Sequence, residues 1–485
     1  MSTPVADEGR IVVVGAGPHA LTFCSYLLAA RPDWHSRLLV IDPDGWLTRW
    51  DTLMERLEID VLRSPGVHHP DPASYALFEF AIDRPDQLHG DTKSPTVGLF
   101  ADFCTNLIAR HRLHEVLEIG TLTAIIPRGP GHNAVELESG AINDAATVVI
   151  AANQTTPRLP GWAPTGEGHA VTHAAHVHPS GVGLGERVVV VGGGLTAAQL
   201  CAAAMRRCAE VTLVARHPLR CSGTDVEPGW LSRYLLEPYL AEPDWERRAG
   251  IYRATRRGTM PAFSADVLRR AVSQGHLVLH ESAEVSAMTA SGDGQTLFTT
   301  AGPINVDRVW LATGWTFDAR TDPLMAPLLH VGTTTCGLPL LDAGCAIPGT
   351  TVHLTGAAAA LQTGAFAPNL AGARIAAERI VATLCDLVER QYPVPPSAIS
   401  PAASISRWTN QSIPTATPSP QLDWLGPSTL SPDALSSSAA GSPAPPAPMT
   451  KRRTCASWTA SSRAAAVASL SARSAASPPA GARPS

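Results

Sequence analysis

Two stretches of the chain repeat one pattern of apolar and small positions. In the first, the β-branched run Ile11–Val14 meets Gly15-Ala16-Gly17-Pro18-His19-Ala20 and then the helical apolar run Ala20–Ala30. A second apolar run, Leu38–Ile41, ends on Asp42. In the other stretch Arg187 opens the run Val188–Val191, followed by Gly192-Gly193-Gly194-Leu195-Thr196-Ala197 and a helical run Ala197–Arg207. Its second strand, Val211–Val214, ends on Ala215-Arg216. Short, wholly apolar strands that alternate with helices predict parallel sheets covered on both faces. Each stretch reads as a βαβ unit of about thirty residues. The predicted fold class is therefore α/β, with two Rossmann-like dinucleotide-binding domains.

The small residues carry the chemistry of each unit. Gly15 and Gly192 permit a tight strand-to-helix turn. Gly17 and Gly194 lack a Cβ, so a pyrophosphate can come close to the backbone, and Ala20 and Ala197 let helix pack on strand. The helix N-terminus then presents free N–H groups and the positive end of its dipole to phosphate. The ends of the second strands differ. Asp42 can accept hydrogen bonds from both hydroxyls of an adenosine ribose, which predicts an unphosphorylated ribose at the first site. Arg216, with His217 and Arg220 nearby, suits a 2′-phosphate, which favours NADPH over NADH at the second.

Composition narrows the class. The net charge of −5 argues against a nucleic-acid binder. No apolar run approaches the ~20 residues of a membrane helix, and Met1–Arg10 does not resemble a signal peptide. The nine cysteines contain no CxxC pair and no metal-ligand spacing, so dithiol chemistry and structural zinc are disfavoured and a reducing cytoplasm is the expected compartment. Residues 391–485 are dominated by Pro, Ser, Ala and Thr. Such a stretch lacks the large apolar groups needed to offset ordering entropy and is expected to be a disordered tail.

With both fingerprints placed, the chain resembles the two-dinucleotide-domain flavoprotein monooxygenases: flavin-containing monooxygenases, Baeyer–Villiger enzymes and lysine/ornithine N-hydroxylases. Asp307-Arg-Val-Trp-Leu311-Ala312-Thr313-Gly314-Trp315 resembles the D-x-x-x-(L/F)-A-T-G-(Y/W) signature of the N-hydroxylating branch. Thr355-Gly356, Leu361-Gln-Thr-Gly364 and Pro368-Asn369-Leu-Ala-Gly372 resemble the flavin-contacting C-terminal segment, which leads into a helix from about Leu370 to Glu389. The resemblance implies FAD at the first site and NADPH at the second. It also implies that Thr313, Gly314, Gly356 and Gly364 are cofactor-binding. The FAD domain would comprise residues 1–164 and 303–390, with an NADPH domain at 165–302 between them. One oxygen of O2 would pass through a C4a-hydroperoxyflavin to a small nucleophile, first of all a primary amine or amino acid. Where the family reads A-T-G at its first linker, this chain has Ala151-Ala152-Asn153. The Baeyer–Villiger motif is only partly echoed, by Thr172–His176, and the stretch Leu62–Pro72 departs from lysine and ornithine hydroxylases.

Several residues are weaker candidates. His68 and His69 lie in a His-Pro loop expected near the flavin edge; each reads either as catalytic or as loop-shaping. Arg49 and Trp50, with Trp46, follow Asp42 closely and could cover the flavin or meet its phosphates, or could belong to surface and core. Arg253, Arg256 and Arg257 could assist the NADPH phosphates or form a solvated basic face. His169, His173, His176 and His178 lack completing ligands, so no metal is expected. The rival readings are an NAD(P)H-dependent flavoprotein reductase without oxygen transfer, and a redox-sensing dinucleotide-binding module.

Overall fold

The run Ile11–Val14 is buried along its whole length, as a strand covered on both faces must be. In the computed structural model it forms the centre of a five-stranded parallel sheet. The order is Val352–Leu354, Thr147–Ile150, Ile11–Val14, Leu38–Asp42, Leu117–Ile119. Val13 is in register with Val40 on one side and Val149 on the other. The structure describes residues 9–391, apart from 130, 153–154, 165–169, 256, 292–293 and 330–333. The predicted tail, together with Asn153, His169 and Arg256, lies outside the described residues.

A second five-stranded parallel sheet repeats the arrangement. Its order is Val171–His173, Arg308–Leu311, Arg187–Val191, Glu210–Ala215, Leu277–Glu281. Again the fingerprint strand is central. Val190 is in register with Leu213 and with Trp310. In each sheet the chain turns to opposite sides of that strand, so the carboxyl end of the strand faces the crevice where ligands bind in such folds. The helices Pro18–Ala30 and Leu195–Arg206 start directly after the two glycine turns, with Gly17 and Gly194 as N-caps.

Each parallel sheet is interrupted in sequence by a three-stranded antiparallel sheet: Leu122–Ala145 falls between the first sheet's Leu117–Ile119 and Thr147–Ile150, and Val285–Val306 between the second sheet's Leu277–Glu281 and Arg308–Leu311. The chain crosses between the parallel sheets on two short strands, Thr156–Pro157 and Trp315–Thr316, paired antiparallel. The strand Arg308–Leu311 lies inside the second sheet, so the border expected at 302/303 falls before the last strand of that sheet and not after it. Asp307 explains the placement: its carboxylate accepts from the backbone N–H and the guanidinium of Arg187, tying the last strand to the fingerprint strand. These hydrogen bonds from Arg187 hold its carboxyl at about 2.

A third cluster is helical. Pro228–Leu231, Arg233–Ala241 and Trp245–Thr255 pack on residues 360–367 through Trp230, Tyr239, Tyr252 and Phe366. Arg248, buried here, is satisfied by the carbonyls of Leu240, Glu242 and Leu361. The last described helix, Leu370–Gln391, runs alongside Pro18–Ala30. Among the described residues no helix is long and apolar enough to cross a membrane.

Candidate functional site

At the first fingerprint, Gly15 N–H donates to the Ile41 carbonyl at 2.8 Å, which closes the turn. A Cβ on Gly17 would meet nothing within 4 Å. The backbone is bare on the side where a side chain would stand, as close approach by a pyrophosphate requires. Ala20 is fully buried against the sheet. The Asp42 carboxylate accepts three backbone amides: Ala16 at 2.9 Å, Asp44 at 2.8 Å and Gly45 at 2.9 Å. A carboxylate offers about four acceptor positions, so Asp42 keeps room for one ribose hydroxyl rather than the two expected. Its short side chain makes it a builder of the turn as well.

His19 stands one residue before Ala20. Its Nε2 lies 3.4 Å from the Pro368 carbonyl, while its Nδ1 is buried with no partner. A Cβ on Gly356 would lie 3.7 Å from that Nδ1. Burial holds the His19 imidazole down at about 4. The bare face of Gly17 and this orphaned acceptor fit a polar cofactor between the fingerprint and Gly356. Gly364 is placed elsewhere: a Cβ there would come 3.0 Å from Leu236 and 3.2 Å from Trp230. Its role is to let the helical cluster pack. Arg49 is exposed and paired with Asp44 at 2.9 Å. Trp50 stacks at a tilt on Phe100, centroids 5.3 Å apart, and Trp46 donates to the Leu113 carbonyl at 3.2 Å. These three belong to surface and core.

At the second fingerprint, a Cβ on Gly192 would stand 2.4 Å from the Ala312 carbonyl oxygen, and the residue has φ +149°. Only glycine fits between the fingerprint strand and Ala312-Thr313-Gly314. Ala197 is fully buried. Thr313 Oγ1 donates to the Arg158 carbonyl at 2.5 Å, and Gly314 O accepts from Arg158 N–H at 3.0 Å and lies 3.0 Å from His173 Nε2. His173 Nδ1 accepts from Ala175 N–H at 3.1 Å, so its Nε2 carries the proton. This histidine is a neutral joint between the sheets. No group of three or more metal-ligating side chains occurs among the described residues.

A cleft of about 1340 Å³ runs from this fingerprint toward the C-terminal segment. Its lining includes Arg216, Arg220, Arg253 and Arg257, and also His68, Phe366 and Asn369. Arg216 is exposed and makes no ion pair among the described residues. His68 packs edge-on against Phe366, centroids 5.9 Å apart. Burial, reinforced by the Arg374 charge, lowers both His68 and His69 to about 4. His69 points away from the cleft chemistry: it is fully buried, edge-on to Phe103 and 3.2 Å from the Ser74 carbonyl. Arg374 shapes the same loop, donating to the carbonyls of His69, Asp71 and Pro72. His69 is therefore loop-shaping, whereas His68 is a neutral imidazole on the cleft wall.

Arg63, Asp225 and Asn369 also line the cleft. Asn369 belongs to the segment singled out by sequence; Arg63 and Asp225 do not, because they sit in loops and meet only across more than 140 residues.

Residues 10–229 match the pyridine nucleotide-disulphide oxidoreductase family. A search of curated protein sequences returned no match. Among solved structures, the chain is similar to an ornithine N-hydroxylase of Kutzneria sp. 744 with reduced FAD, NADP+ and L-ornithine. That match has 18% identity and TM-score 0.63, and covers 78% of this chain and 99% of that one. It is similar to an FAD-bound cadaverine monooxygenase of Erwinia amylovora, with 13% identity, TM-score 0.63, and coverage of 78% and 94%. A bacillithiol disulfide reductase of Bacillus cereus also matches, with 15% identity, TM-score 0.53, and coverage of 78% and 99%. These likenesses show the fold: the chain shares the architecture of the ornithine N-hydroxylase and the cadaverine monooxygenase over about four fifths of its length.

Proposed function

We propose that the protein is an FAD- and NADPH-dependent monooxygenase that places one oxygen atom of O2 on a small nucleophile, a primary amine or amino acid. One observation carries this reading. Two glycine fingerprints end the central strands of two parallel sheets, and the cleft at the second reaches the Gly356–Asn369 segment that borders the first. FAD, when bound, supplies hydride acceptance and the oxygen-transfer chemistry. The chain supplies binding, orientation and dryness. Gly17 and the helix Pro18–Ala30 receive a pyrophosphate, and Asp42 holds a ribose hydroxyl. Arg216 takes the 2′-phosphate of the coenzyme. Asn369, which lines the cleft and leads into the helix Leu370–Gln391, puts the positive end of that helix dipole at the cleft. His68, neutral at physiological pH, adds a hydrogen-bonding wall that does not feed protons into the site.

The ornithine and cadaverine enzymes above act on primary amines, which makes amines the first substrates to test. The disulfide reductase shares the fold, but the buried Cys24, Cys104, Cys201 and Cys345 have thiols pushed up by burial. Such thiols are poor nucleophiles. The test is a panel of amines, amino acids, sulfides and ketones with NADPH and O2, read by mass spectrometry. One product gaining one oxygen per NADPH consumed is expected. Stoichiometric hydrogen peroxide with every class would leave a flavoprotein oxidase or reductase in its place.

A further inference from the structure

The two fingerprints differ in what stands over their second glycine. Nothing lies within 4 Å of a Cβ on Gly17, whereas a Cβ on Gly194 would be 3.5 Å from the Cα of Gly258. The Thr259 carbonyl accepts the N–H of Leu195 at 3.2 Å. That amide is the first of the helix, one of the donors a pyrophosphate would use. The strap Arg257–Thr259 therefore lies across the seat of the coenzyme pyrophosphate.

One side chain holds the strap there. Arg63 Nη1 donates to the Thr259 carbonyl at 2.9 Å and to Asp225 Oδ1 at 3.0 Å. Its Nη2 donates to Thr259 Oγ1 at 2.7 Å and to the carbonyls of Thr224 at 2.6 Å and Ser222 at 3.1 Å. The Arg63 side chain is only 12% exposed. Beyond the strap, Met260 is fully buried and bonded in both directions, its N–H to the Arg220 carbonyl and its carbonyl to Ser222 N–H. Arg257 and Gly258 are exposed. The strap thus has a fixed end at Met260, a latch at Arg63 and a free outer face.

We propose that Arg63 is a positioning residue for the coenzyme: it latches Arg257–Thr259 over the second fingerprint, and NADPH binds by displacing that strap. This rests on the reading that the second fingerprint receives NADPH. The latch lowers apparent coenzyme affinity by the fraction of chains whose strap is open. Weakening the latch raises that fraction and tightens binding, opposite to the loss expected of a residue that contacts the coenzyme directly.

The experiment uses the FAD-loaded full-length protein. NADP+ is titrated against wild type, Arg63→Met and Asp225→Asn, following the fluorescence of Trp162 and Trp315 in the cleft. Both variants should bind NADP+ about three- to tenfold more tightly, with faster association and unchanged FAD per chain. Without coenzyme, trypsin should cut after Arg257 faster in Arg63→Met than in wild type. Equal or weaker NADP+ affinity in a variant that keeps its FAD overturns the latch. If Arg63→Met loses FAD, Asp225→Asn decides by the same titration. If no protein binds NADP+, the coenzyme reading fails, and equal tryptic rates would show separately that Arg63 does not hold the strap.

Discussion

Gly17→Ala and Gly192→Ala should separate cofactor binding from folding. The two residues hold different places in the fingerprint, Gly192 as a turn glycine and Gly17 as a helix N-cap, and their surroundings differ. At Gly192 a methyl group meets the Ala312 carbonyl at 2.4 Å with φ at +149°. Holding a non-glycine residue in such a conformation costs about 1–3 kcal/mol. Forcing extra volume into packed structure costs about 1–3 kcal/mol more. Relieving both moves Ala312-Thr313-Gly314, the joint between the sheets. The expected loss is about 2–6 kcal/mol, which lowers the melting temperature by roughly 5 °C or more. At Gly17 φ is −83° and a methyl group meets no atom within 4 Å, so the fold should change by less than about 0.5 kcal/mol. That methyl group instead enters the space kept for a pyrophosphate. A steric penalty of about 1.4–3 kcal/mol there weakens FAD about tenfold to a hundredfold. The assays are melting curves of FAD-stripped protein and flavin absorbance after reconstitution. Equal destabilisation by the two substitutions, or full FAD affinity in Gly17→Ala, would refute the reasoning.

Replacing Arg216 with Ala should remove a charge-assisted contact of about 1.5–3 kcal/mol and weaken NADPH about tenfold to a hundredfold while leaving NADH nearly unchanged; equal losses in steady-state KM for both coenzymes would exclude a role in reading the 2′-phosphate. Acid should destabilise the fold before the carboxylates titrate. His19, His68 and His69 are lowered from 6.5 to about 4 by burial, so the unfolded chain binds more protons than the folded one between these values. Their contribution is complete above about pH 6.5 and is lost as pH falls toward 4; a melting temperature flat across that window would contradict it.

Most of the fold was legible because its strands are covered on both faces. Such strands must be unbroken apolar runs, and Ile11–Val14 and Val188–Val191 stand out for that reason. The helices after them were readable from the glycine turns; the structure starts them two residues earlier than the sequence reading, at Pro18 and Leu195. The border near residue 302 was misplaced because Arg308–Leu311 serves the second sheet while Ala312–Trp315 already leads to the crossing strands. The sequence there is continuous, and only the pairing with Val188–Val191 reveals the division. Gly364 looked like a cofactor glycine, but its neighbours Trp230 and Leu236 come from more than 120 residues away. The same distance in sequence concealed Arg63, whose acceptors are mostly backbone carbonyls. Any residue supplies such an acceptor, so no side-chain pattern marks it.

If the proposed assignment holds, the two ends of the second strands separate the sites by charge rather than by shape. Asp42 is drawn back by Ala16, Asp44 and Gly45 amides, which fixes its negative charge beside the first glycine turn whether or not a ligand is bound. A 2′-phosphate arriving there would face a like charge that cannot turn aside without abandoning three hydrogen bonds. Arg216 occupies the equivalent place in the second unit with a side chain uncommitted among the described residues, beside Arg220, Arg253 and Arg257 on the same cleft wall. A 2′-phosphate arriving here meets opposite charge. On the proposed assignment, two copies of one supersecondary unit take different ligands through the residue that ends one strand, while the shared glycines, helix starts and sheet order stay the same. Replacing Arg216 alone with Asp should therefore turn the preference from NADPH toward NADH, read as the ratio of the two KM values, without disturbing the helix Leu195–Arg206 that follows its turn.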